Sequence, residues 1–100
     1  MVKHIVMWKL KDFAEGNGKA QNAAIIKERL EALPAKIPEI RFMQVGINSN
    51  PSDMAYDAVL VSEFDSMEAL EAYQNHPEHK KVQGFVKAAR EARVVADYEF

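Results

Sequence analysis

Three segments of this chain read as β-strands with apolar side chains on both faces, and that pattern restricts the fold more than any other feature. Val2 to Leu10 alternates, with Val2, His4, Val6, Trp8 and Leu10 on one face and Lys3, Ile5, Met7 and Lys9 on the other. Ile40 to Ile47 and Tyr56 to Phe64 are two further strands, joined by the loop residues Asn48-Ser49-Asn50-Pro51-Ser52-Asp53, and the pair suits a long hairpin. Residues suited to burial stand back to back in all three: Ile5 and Val6, Phe42 and Met43, Leu60 and Val61. One layer of helices covers only one side of a sheet. The other side needs a cover, and a second copy packing sheet to sheet supplies it, so a homodimer is expected. Buried parallel strands are also apolar on both faces, so periodicity alone leaves that arrangement open.

The remaining segments set the order of elements. After the turn Gly16-Asn17-Gly18, Ile26, Leu30 and Leu33 form the inner stripe of a helix that ends near Pro34 and Pro38. Further on, Asp65 stands as an N-cap with Glu68 in the reciprocal capping-box position, and Met67, Leu70 and Tyr73 follow at helical spacing. Pro77 disfavours helix at its predecessor but suits the first turn of a new one, so one helix ends near Asn75 and another begins at Pro77. On the second, His79, Val82, Val86 and Ala89 share a stripe with Phe85 beside them, while Glu78, Lys80, Lys81 and Lys87 fall largely elsewhere. Arg93 to Phe100, rich in β-branched and aromatic residues, closes the chain as a strand. The order β-α-β-β-α-α-β predicts an α+β fold of the ferredoxin-like, split-βαβ type: one domain over residues 1–100, with helices on one face of a four-stranded antiparallel sheet.

Composition excludes several functions. A net charge of −2 argues against a nucleic-acid partner, which demands a basic surface. No apolar run approaches the roughly 20 residues of a membrane span, and the alternating start Met1-Val2-Lys3-His4 is not a signal-peptide core, so a cytoplasmic protein without a membrane partner is expected. With no cysteine there are no disulfides, no thiolate nucleophile and no cysteine-ligated zinc. The only glycines are Gly16, Gly18, Gly46 and Gly84, which build neither a phosphate-binding loop nor a nucleophile elbow. No cofactor is expected. His76 and His79 lie three apart, but Pro77 splits the pair and no third ligand joins it, so no metal is expected either.

Four separated motifs, in order, resemble the stress-responsive α/β-barrel domain family within the dimeric α/β-barrel superfamily. They are Val2-Lys3-His4-Ile5-Val6-Met7-Trp8-Lys9-Leu10-Lys11, Tyr56-Asp57 leading into a strand that ends Ser62-Glu63-Phe64, Tyr73-Gln74-Asn75-His76-Pro77-Glu78-His79, and Val94-Val95-Ala96-Asp97-Tyr98. The resemblance covers nearly the whole chain and implies a dimeric α/β barrel. Some plant members are polyketide cyclases that close a linear poly-β-keto thioester by aldol condensation. That activity implies a tyrosine and a histidine in the pocket, matched here by Tyr73 and His79, with His4 and Asp97 at further pocket-region positions. This chain departs from the cyclases at Ala58, where they carry another strand histidine. The superfamily also includes cofactor-free monooxygenases, to which Trp8 with His79 would point, although a lone strand tryptophan is more often core or interface.

The chemistry expected of these residues is acid–base. The imidazole of His79 can take a proton from a carbon acid and return it, Tyr73 can hold a carbonyl oxygen, and Asp97 can orient the imidazole. These three are the expected catalytic residues, with His4, Trp8 and Phe85 lining an apolar pocket for a small hydrophobic molecule. The competing reading makes Asp97, His79 and His4 a satisfied polar cluster, Tyr73 a core residue, and the protein a ligand-binding or stress-protective dimer without chemistry. His76 is a helix-boundary residue in either case. Catalysis requires His79 and Tyr73 to reach a cavity of small-molecule size.

Overall fold

The computed structural model describes residues 1–100. Its strands are β1 (Val2–Leu10), the short β2 (Phe13–Ala14) and β3 (Asn17–Gly18), β4 (Phe42–Ile47), β5 (Ala58–Phe64) and β6 (Arg90–Glu99), and its core is a four-stranded antiparallel sheet in the order β4-β5-β1-β6. The helices α1 (Lys19–Glu31), α2 (Met67–Asn75) and α3 (Pro77–Ala89) provide the expected ferredoxin-like arrangement. Alternation in β1 is strict. Val2, His4, Val6, Trp8 and Leu10 are all buried, while Lys3, Ile5, Met7 and Lys9 are not. The buried set packs with Ile26, Leu30, Leu60, Phe64, Leu70 and Tyr73 in one hydrophobic core between sheet and helices.

Pairing shows what lies on the far side. Ile5 stands opposite Val61 and Ala96, and Met7 opposite Val59 and Val94. On this second face Met7, Phe42, Val94 and Tyr98 are 41%, 43%, 46% and 45% exposed. The apolar surface anticipated from the sequence is therefore present and uncovered within one chain. No helix is long and apolar enough to cross a membrane.

Three local details differ from the sequence expectations. The N-cap of α2 is Ser66, whose hydroxyl accepts from Ala69 N at 3.1 Å, so Asp65 and Glu68 form no capping box. Asp65 instead receives a two-pronged hydrogen bond from Arg41, which holds its carboxyl below the usual aspartate range. The turn after β1 is a small hairpin of β2 (Phe13–Ala14) and β3 (Asn17–Gly18), closed by Glu15 and Gly16 at φ of 52° and 78°. A two-residue turn with both central φ positive matches the twist of the strands it joins. Finally, β6 begins at Arg90 rather than Arg93, running directly on from α3. Pro77 acts as expected. It opens α3 immediately after His76, whose Nδ1 accepts from Glu78 N at 3.1 Å and caps the helix.

Candidate functional site

A cavity of about 260 Å³ lies between α3 and the sheet. Val6 and Trp8 of β1, Leu60 of β5, Leu30 of α1 and Val82 and Val86 of α3 give it apolar walls. Tyr73, His79 and His4 are its aromatic polar residues. Both residues that catalysis would require at a cavity, Tyr73 and His79, line this one.

Tyr73 is held by the end of α2 and is 1% exposed. Its ring packs on Phe64 at 5.1 Å and on His79 at 4.4 Å between centroids, with His4 edge-on at 6.4 Å. The phenol oxygen is sealed from solvent and has no hydrogen-bond partner, alone among the buried side-chain polar atoms. Such a group costs free energy until something bonds to it. Burial pushes the Tyr73 phenol up, so it keeps its proton and stands ready as a donor.

His79 sits in the first turn of α3, and Pro77 fixes how that turn meets α2. Its Nδ1 lies 3.1 Å from the backbone carbonyl of Gln74. A carbonyl can only accept, so Nδ1 carries the hydrogen and Nε2 keeps a free lone pair. Burial is the main cause that holds the His79 pKa below its ordinary value; the Gln74 hydrogen bond opposes this, and the nearby His4 and Arg93 reinforce it. The ring is thus neutral at pH 7 and able to take a proton.

Asp97 does not orient His79. Its carboxylate accepts from Nδ1 of His4, directly across the β1–β6 pairing, where His4 and Asp97 are register partners. The reason is reach: cross-strand partners on one face lie about 5 Å apart, so Asp97 meets His4 before any residue of α3. The carboxylate is partly open to solvent, whereas His4 is 3% exposed, so Asp97 supplies the partner that a buried imidazole needs.

Phe85 lies outside the cavity. It points from the edge of the α3 stripe toward α1, where the guanidinium of Arg29 sits 4.7 Å above its ring. Ala58 is also outside, buried opposite Trp8 on β1, so the position where the cyclases carry a histidine is a core contact here. The sequence reading missed Gln74, Gln83, Lys87, Arg90 and Arg93, all of which line the cavity. The signal existed. Gln83 and Lys87 follow His79 at i+4 and i+8, beside the apolar stripe, and Arg93 shares the period-two face of Asp97.

Residues 2–100 match the model of the family called stress responsive A/B barrel domain. The chain belongs to that family. The A/B barrel protein is 35% identical over 103 residues to an uncharacterised protein of Streptomyces coelicolor, covering all of both chains. Among solved structures it superposes with a TM-score of 0.83 on a dimeric ferredoxin-like protein of unknown function from Bacteroides fragilis, 39% identical over 99% of this chain and 95% of that one. The same fold, at a TM-score of 0.77 and 20% identity over 97% and 90% of the two chains, occurs in a hydroxynitrile lyase from Passiflora edulis. At that identity the likeness concerns the fold alone.

Proposed function

We propose that this A/B barrel protein is a cytoplasmic homodimer that performs cofactor-free acid–base chemistry on a small, mostly apolar carbonyl compound. One observation carries the reading: a buried tyrosine whose hydroxyl has no partner in the protein lines a cavity beside an imidazole that has only its Nδ1 engaged. In the reaction, Nε2 of His79 removes a proton from the carbon next to the carbonyl. The Tyr73 hydroxyl donates to the oxygen as charge builds on it, in surroundings dry enough to strengthen that bond. The proton returns from His79 to the product. Asp97 acts through His4 as a positioning residue. The dimer is supported by the uncovered apolar sheet face and by the dimeric state of the B. fragilis protein.

The test is deuterium incorporation at the α-carbon of small ketones and β-keto esters in D2O, followed by proton NMR. The protein accelerates exchange for at least one compound, and His79→Ala abolishes the acceleration while leaving the fold intact. If that variant exchanges as fast as the parent, or if a compound binds the parent without exchange above buffer, the site binds without chemistry.

A further inference from the structure

The cavity has a charge that the acid–base reading does not use. Lys87, Arg90 and Arg93 all line it, and no aspartate or glutamate does, in a protein whose net charge is −2. These cations are also unspent. Of the four arginines, Arg41 is bonded to Asp65 and Arg29 stacks on Phe85, whereas Arg90 and Arg93 have neither a carboxylate within ion-pair distance nor an aromatic partner. Lys87 is likewise in no ion pair.

A backbone irregularity brings the two arginines together. Residues three apart on a regular strand point to opposite faces. Here Trp8 pairs with Arg93 and Lys9 with Ala92, but Leu10 pairs with Arg90, so Glu91 is an extra residue in a bulge. Trp8 and Leu10 both face the core, and their partners Arg93 and Arg90 consequently share the cavity side. The bulge is anchored: Leu10 N donates to the Asp57 carboxylate at 2.7 Å, and Lys11 N to the Ala89 carbonyl at 2.9 Å.

We propose that the ligand is a small organic acid, with an apolar body against Trp8, Val82 and Val86 and a carboxylate held by Arg93 and Arg90 at the mouth. This rests on the reading of the cavity as a ligand site. A guanidinium presents paired N–H donors that match a carboxylate, and Lys87 adds a point charge on the same side. The volume of about 260 Å³ lies below the usual 300–1,000 Å³ of ligand pockets. It therefore fits a one-ring acid rather than a long acyl chain.

The experiment compares benzoate and phenylacetate with benzamide and phenylacetamide, neutral molecules of nearly the same shape. Binding to the intact protein is followed by NMR shifts of the His79 and Tyr73 rings. At least one acid is expected to bind about 10-fold or more tightly than its amide, as a charge-assisted hydrogen bond implies. Arg93→Gln should remove that preference with an unchanged melting temperature, and Lys80→Gln, on exposed α3 surface away from the cavity, should keep it. Equal affinity for acid and amide overturns the anion proposal but leaves the cavity as a ligand site. Failure of all four to shift the His79 and Tyr73 signals at millimolar concentration overturns both. Acid preference that survives in both Arg93→Gln and Arg90→Gln also refutes the assignment.

Discussion

Replacing Tyr73 by phenylalanine should make this protein more stable and less active. The ring contacts with Phe64, His79 and His4 depend on the aromatic body and survive the change. Only the hydroxyl is lost, and it is buried with no hydrogen-bond partner among the protein's own groups. Proteins with a hydroxyl buried in this state are destabilised by about 1–3 kcal/mol relative to a satisfied one. Tyr73→Phe should therefore raise the unfolding free energy by an amount within that range. In a domain of this size each kcal/mol corresponds to roughly 4–8 °C in melting temperature. The assay is urea unfolding with a thermal scan, at one protein concentration for both variants because dimerisation adds to apparent stability. The proton-exchange assay should show the opposite trend, with the loss in kcat, since the bond to Tyr73 strengthens only as the carbonyl oxygen gains charge. A destabilisation of about 1 kcal/mol or more would refute the reasoning, because it would mean that the hydroxyl already has a partner in the free protein.

Other predictions follow from the same geometry. The His79 pKa is depressed by burial, so in the window from 6.5 down to its folded value the unfolded chain binds more protons than the native one. Stability should thus fall on acidification through that window, and His79→Gln should flatten the slope of the urea midpoint between pH 7.5 and 5. Activity should fall over the same acidic range as Nε2 becomes protonated. Asp97→Ala should cost about 1–3 kcal/mol by leaving the buried His4 Nδ1–H without an acceptor, read as a lower urea midpoint at pH 7.5. Val61→Glu should place an unpaired charge in the proposed sheet-to-sheet interface, since Val61 stands opposite Ile5 on the open face. At about 3–5 kcal/mol it should weaken dimerisation by more than 100-fold, read by sedimentation; a mutant as dimeric as the parent would move the interface elsewhere. Ser66→Ala should lower stability by about 1 kcal/mol through loss of the α2 cap, and more than Asp65→Ala does, because the Arg41–Asp65 pair is solvent-exposed.

Much of this molecule follows from periodicity. Alternation in Val2 to Leu10 assigns a buried and an open face residue by residue, because successive strand side chains must point in opposite directions. Pro77 sets the boundary between two helices because its ring excludes helical geometry at His76 and starts a new helix. Local rules also place Tyr73 and His79 inward. They did not pair Asp97 correctly, since its partner is chosen across strands whose register depends on where β6 begins. Nor did they turn Phe85 toward Arg29, because a residue at the edge of an apolar stripe goes to whichever neighbouring helix offers a contact.

The sequence by itself determined the order of elements, the two apolar sheet faces and the aromatic–imidazole pair around Pro77, all consequences of chain neighbours and fixed periods. Only the tertiary structure decided that His4, not His79, receives Asp97, that the Tyr73 hydroxyl lacks a partner, and that a bulge at Glu91 turns Arg90 and Arg93 to one side. Each of these is set by the register and packing of segments far apart in the chain, distances that no local pattern encodes.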